Sequence, residues 1–190
     1  MSGRARWMLA TSVATLSAVA LGGTSTAGDP RCFGSVADHV LTEGDDDLDL
    51  GDETERQVVV ALGGDDSIQG GTGADKICSG DGTDEVYGEA GKDKIKSGSE
   101  RDYVNGENGA DLIKGGGGDD GGDTTWREGD PFGAGLDGDG GDDKILGGSG
   151  DDGIRGEGGR DFIRGKGGTD SCDGGGQARD DVRCEKPFLP

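Results

Sequence analysis

Eleven aspartates in this chain keep a nine-residue ruler: Asp66, Asp75, Asp84, Asp93, Asp102, Asp111 and Asp120, then, after one interruption, Asp143, Asp152, Asp161 and Asp170. Two positions beyond nine of them stands an aliphatic: Ile68, Ile77, Val86, Ile95, Val104, Ile113, Ile145, Ile154 and Ile163. Glycine dominates the positions just before, so that residues 70–78 read GGTGADKIC and 147–155 read GGSGDDGIR. A period this strict leaves few folds open, because every unit must bury the same aliphatic and place the same carboxylate.

Read physically, each nonapeptide is one turn and one short strand. Glycines at its first, second and fourth positions permit positive φ, so the backbone can curl and turn carbonyl oxygens inward. The strand that follows puts its central aliphatic on one face and its neighbours on the other. Two nonapeptides make a flattened coil of 18 residues, and stacked coils pair as two parallel sheets about 4.8 Å apart strand to strand. The expected fold is therefore all-β, a solenoid with a thin aliphatic core between two sheets. Like turns then lie one strand spacing apart, and their aspartates repel unless a cation sits between them. Six to eight oxygens at about 2.3–2.6 Å suit Ca²⁺, whereas Mg²⁺ prefers a smaller octahedron and keeps its waters. Within the two arrays the rule gives seven candidate pairs: Asp66/Asp84, Asp75/Asp93, Asp84/Asp102, Asp93/Asp111, Asp102/Asp120, Asp143/Asp161 and Asp152/Asp170.

Composition makes the cation necessary. The formal charge is −21, 44 of 190 residues are glycine and only 29% are hydrophobic. A chain so acidic and so poor in apolar surface does not fold unaided, and metal binding is then part of the folding free energy. The same balance, with no basic stripe in the sequence, argues against a nucleic-acid partner. Enzyme chemistry finds little support: His39 is the single histidine, and neither HExxH nor GxSxG occurs. The GxGxxG at Gly133, Gly135 and Gly138 carries no weight in a chain this rich in glycine. An EF-hand reading of 45–56 fails, because Leu50 stands where glycine is required and Arg56 where glutamate is.

Six segments are expected. Residues 1–27 read as a signal peptide, with Arg4 and Arg6 before an apolar stretch too short and too polar to span a membrane. Cleavage after Ala27 is favoured over the rival at Ala18-Val19-Ala20. It would leave 17 basic against 40 acidic residues, with no transmembrane anchor in the mature chain. An N-terminal cap spans 28–61, the first array 62–123, an interrupting loop 124–137, the second array 138–173 and a C-terminal cap 174–190. Gly122 falls where an aliphatic should follow Asp120, so the seventh repeat reads as defective, with a loop leaving the stack there. An even four cysteines in an exported chain imply two disulfides. Of three connectivities, Cys32–Cys78 and Cys172–Cys184 are favoured, one tying the cap to the second repeat and one closing a short loop at the last. Glu100 at a fourth position should strain the backbone, Glu89, Glu107 and Glu157 at second positions should point outward, and Asp65, Asp119, Asp142 and Asp151 should face solvent.

The pattern G-G-x-G-x-D-x-U-x, over roughly 62–173, resembles the RTX, or haemolysin-type calcium-binding repeat, family. The resemblance implies a right-handed parallel β-roll with calcium held by the sixth-position aspartates, here the eleven named above. The ends, Cys32-Phe33-Gly34 and Asp181-Val182-Arg183-Cys184-Glu185, are similar to small secreted calcium-binding proteins of actinobacteria. Two departures separate the chain from RTX toxins: an N-terminal signal in place of a C-terminal one, and no room for an effector. The expectation is thus a secreted, extracellular calcium-binding protein that folds on binding several Ca²⁺. An alternative is a calcium-stabilised adhesion protein that presents the 124–137 loop, with Trp126 and Phe132 as anchors.

Overall fold

In the computed structural model the described residues are 28–120, 135–175, 180–184 and 186–187. The leader-like segment 1–27, and Trp126 and Phe132 of the interruption, lie outside them. Every regular element among these residues is a strand. They form two eight-stranded parallel sheets. The first sheet runs His39–Val40, Val58–Val60, Lys76–Asp81, Lys94–Ser99, Leu112–Gly117, Lys144–Ser149, Phe162–Gly167 and Asp181–Arg183. The second runs Asp47–Asp49, Ser67–Gln69, Glu85–Tyr87, Tyr103–Asn105, Leu136–Asp137, Gly153–Arg155, Ser171–Asp173 and Lys186–Pro187. The chain alternates between them, one turn per crossing, which is the β-roll the nonapeptide predicts.

Register follows from the aliphatic slot. In the first sheet Val59, Ile77, Ile95, Ile113, Ile145 and Ile163 are successive Cα partners. In the second, Ile68, Val86, Val104, Leu136, Ile154 and Cys172 are. All are buried and meet in one cluster between the sheets. A slip of one residue would turn every aliphatic outward and every polar neighbour inward, so burial locks the pairing.

Leu136 shows how the interruption is absorbed. It pairs with Val104 below and Ile154 above. The amide of Asp111 reaches Asp143 across 32 residues, where equivalent bonds elsewhere span 18. Fourteen extra residues, 121–134, are therefore inserted between Asp120 and the strand that should follow it. The seventh repeat is split, not defective: its aspartate is Asp120 and its aliphatic is Leu136.

The two edges of the roll are built differently. On the edge leading into the second sheet, first-sheet strands continue through the turn, pairing Gly80, Gly98, Gly116, Gly148 and Lys166 in register. Gly98, Gly116 and Gly148 have φ of 132°, 125° and 146°, and a Cβ at Gly98 would strike the Gly80 carbonyl. On the opposite edge the second position relaxes to the ordinary left-handed region: Glu89 at 72°, Glu107 at 63°, Asp139 at 62° and Glu157 at 62°. A side chain fits there, at the strain cost of a non-glycine left-handed residue, about 1–2 kcal/mol each. Beside it the turns form their own parallel ladder, from Ala90–Gly91 to Asn108–Gly109 and on through bridges at Gly140 and Gly158. Glu100 adopts φ of 78° at its fourth position, the strained conformation its spacing predicts.

Both favoured disulfides are present, Cys32–Cys78 and Cys172–Cys184. The first fastens a small hairpin, Arg31–Cys32 with Ser35–Val36, onto the outer face of the first sheet. There Cys32, Val58 and Val60 make a second buried cluster against Phe33 and Ala37. This covers the early strands where the chain lacks its regular repeat.

Two outcomes test this packing. Ile95→Ala removes a fully buried side chain flanked by Ile77 and Ile113, and should cost about 2–5 kcal/mol in denaturant unfolding of the calcium-loaded protein. Glu100→Gly should raise the thermal midpoint under the same conditions, since it releases about 1 kcal/mol of left-handed strain.

Candidate metal centre

The eleven ruler aspartates stand in two columns, one along each edge. Asp75, Asp93, Asp111, Asp143 and Asp161 precede first-sheet strands; Asp66, Asp84, Asp102, Asp120, Asp152 and Asp170 precede second-sheet strands. Each is at most 3% exposed. Within a column each Oδ1 after the first accepts the main-chain N–H of the ruler aspartate one coil earlier, at 2.8–3.2 Å. These nine bonds include all seven pairs given by the spacing rule. They add Asp111/Asp143 and Asp120/Asp152 across the insertion.

The other oxygen is the informative one. Oδ2 of all eleven aspartates is buried without a hydrogen-bond partner. An orphaned carboxylate oxygen in the interior is among the most expensive groups a fold can hold. Burial accordingly drives seven of these carboxyls well upward from the usual aspartate range: to about 6 for Asp66 and Asp111, about 7 for Asp93, Asp102, Asp143 and Asp152, and about 8 for Asp120. Asp75 and Asp161 move the same way for the same reason. The N–H bond from the neighbouring coil opposes the shift, and repulsion from the next aspartate adds to it at Asp93, Asp120 and Asp152.

Around eight of these oxygens a first-position glycine leaves room where a side chain would stand. A Cβ on Gly88 would lie 2.8 Å from both Asp93 Oδ2 and the Gly106 carbonyl oxygen. A Cβ on Gly70 would lie 3.2 Å from Asp75 Oδ2 and 3.0 Å from the Gly88 carbonyl. Glycine at the first position therefore opens a space where a carboxylate oxygen and the next coil's carbonyl converge. The donor set is all oxygen, anionic and repeated, which fits a hard divalent cation of Ca²⁺ type. In the second column Ser79 and Ser97 replace that glycine, and their hydroxyls donate to the Ser97 and Gly115 carbonyls.

Some participants escape a nine-residue rule. Asp180 lies 19 residues beyond Asp161, yet its Oδ1 accepts the Asp161 amide like any ruler aspartate. At the other end Asp46 and Gln57 donate their amides to Asp66 and Asp75. The exposed acids just before the ruler have a task as well. Asp65, Asp119, Asp142 and Asp151 accept the amides of Thr83, Asp151, Arg160 and Thr169 on the following coil. They face solvent, as their position predicts, and also cap backbone that the turn leaves unpaired.

No curated protein matches the chain. The family profile described as the RTX calcium-binding nonapeptide repeat matches it in four copies, at residues 57–86, 87–121, 136–154 and 147–178. The matches cover more than half of the sequence and break where the insertion leaves and rejoins the stack. With its β-roll, its registered aspartates and these four matches, the chain belongs to the RTX calcium-binding repeat family.

Proposed function

We propose that this is a secreted calcium-binding protein whose β-roll forms as several Ca²⁺ ions fill the spaces between stacked turns. The observation that carries the reading is the run of ten buried, unpartnered Oδ2 atoms from Asp66 to Asp161, which the fold repeats along both edges. Asp66, Asp75, Asp84, Asp93, Asp102, Asp111, Asp120, Asp143, Asp152, Asp161 and Asp170 supply the side-chain oxygens, and glycine carbonyls of neighbouring turns supply the rest. Nine adjacent pairs set the places available. Bound calcium cancels the repulsion along each column and gives the orphaned oxygens their partner. The chain's own residues orient those oxygens through the amide-to-Oδ1 ladder and keep water out with the aliphatic core.

The disulfides support the secreted part of this reading. Two disulfides belong to an oxidising compartment, and extracellular calcium modules work at dissociation constants of about 10⁻⁴–10⁻³ M. In a low-calcium cytoplasm the chain stays unfolded and fit for export; outside, calcium folds it. The 28–61 and 174–190 segments act as caps to the two arrays.

Calcium titration followed by far-ultraviolet circular dichroism should show β structure appearing cooperatively; a spectrum indifferent to calcium and to chelator would sink the reading. Asp111→Asn, next to two gaps in its column, should raise the calcium midpoint roughly tenfold, as expected when an anionic ligand is lost. Native mass spectrometry of that variant should show one or two ions fewer.

Protons should compete with calcium. The folded-state carboxyls lie above their unfolded values, so the ion-free roll binds more protons than the unfolded chain. Its stability is then fullest below about pH 4 and falls as pH rises through 6 to 8. Acidified, calcium-free protein should therefore regain β signal that it lacks at pH 8. Calcium affinity should weaken as pH drops from 8 to 6, measurable by isothermal titration calorimetry with proton release.

A further inference from the structure

Although the chain carries a formal charge of −21, a row of its cations lines one surface. The outward positions of the first sheet hold Lys94 and Lys96 on one strand, Lys114 on the next, then Lys144, then Arg164. All are exposed or half-buried. From Val58 through Arg164 the strands of this sheet hold one acid, Asp81, which ends its strand at the turn and accepts the Ser99 hydroxyl. One edge of the same roll is mainly acidic, with Lys92 and Arg160 as the cations in its turns. Glu89, Glu107, Asp139 and Glu157 take the second position on four successive coils, each at a positive φ that glycine would adopt without strain. Fold stability does not account for them, since they add strain and mutual repulsion where other repeats use glycine.

The two rows share one pitch. Glu89 lies on the coil of Lys94, Glu107 on that of Lys114, Asp139 on that of Lys144 and Glu157 on that of Arg164. Both rows advance one strand spacing, about 4.8 Å, per coil. We infer that the basic face of the first sheet docks the acidic edge of a second copy of this chain. The two rolls lie side by side with axes parallel, so that each coil's cation meets the neighbour's acid. The inference rests on the calcium-loaded roll proposed above, in which the inner carboxylates are neutralised and the outer rows set the field. The second sheet is a poorer counterpart. Its outward acids Asp47, Asp49 and Asp173 sit near its two ends, Glu85 is held by the Tyr87 hydroxyl, and Asp137 is paired with Arg155. Existing surface partners, Arg155 for Glu157 and Asp181 for Arg164, are solvent-screened contacts that exchange readily. Because face and edge are different surfaces, the contact does not close on itself and extends into lateral ribbons.

The test uses the full-length mature protein in millimolar calcium, with circular dichroism reporting the roll and sedimentation velocity reporting association. Wild type should associate at about 0.05 M salt and dissociate at about 0.5 M, as screening shortens the range of the paired rows. Reversing the face (Lys94→Glu, Lys114→Glu, Lys144→Glu) or the edge (Glu89→Lys, Glu107→Lys, Asp139→Lys) should weaken association roughly tenfold or more while the β signal persists. Lys166 occupies the second position of another repeat at φ of 90°, so lysine is compatible there. Mixing the two reversed variants should restore assembly, because each then offers the charge the other lacks. A well-formed roll that stays monomeric at low salt overturns the inference alone. So does assembly indifferent to both reversals, or binding of added polyuronate by monomers that never associate. A chain that forms no roll in calcium overturns the underlying calcium reading instead.

Discussion

The structure depends on one electrostatic conflict. Stacking identical coils is the only way for so little aliphatic surface to be buried continuously. The same stacking brings identical carboxylates within a strand spacing of one another, in an interior that excludes water. Half of each carboxylate is reconciled by the backbone, since Oδ1 accepts an amide from the coil before. The other half, Oδ2, is buried with no hydrogen bond from the protein. Core and charge are thus inseparable: the ladder that seats each isoleucine over the last is the ladder that lines up the oxygens.

The strands divide this work unevenly. On one edge the first-sheet strands run straight through the turn and mostly use glycine where backbones of adjacent coils nearly touch, with Leu62 and Lys166 as exceptions. On the other edge a short ladder of its own holds the turns, the second position relaxes, and glutamate can be carried. One edge is therefore closed mainly by backbone, while the other carries an acidic side chain at the second position on four successive coils. The eight lysines follow a similar partition, with most of them on a single sheet face.

Much of this was legible in the sequence because a repeat reports its own geometry. The nine-residue spacing gave the strand centres, the two-sheet coil and all seven intra-array aspartate pairs, and the cysteine pairing followed from where the caps meet the array. What stayed hidden was phase. Counting from Asp120 places Gly122 in the aliphatic slot, and nothing in a ruler reveals that fourteen inserted residues move that slot to Leu136. The same blindness hid Asp180, displaced by one residue from a column it nevertheless joins. The capping by Asp65, Asp119, Asp142 and Asp151 was invisible for another reason. Exposure and a backbone hydrogen bond are compatible, and sequence position reports only the first. The sequence likewise does not distinguish the two edges, because glycine and glutamate at a second position differ in φ only once the fold places them.

The split seventh repeat has a wider consequence. Asp120 and Leu136 belong to one structural unit although fourteen residues part them, and the coils above and below stay in register. A linear stack tolerates this because each layer is positioned by its neighbours rather than by the chain that joins its halves. Sequence distance and spatial order are thereby uncoupled: a layer keeps its height in the stack whatever length of chain links its two halves.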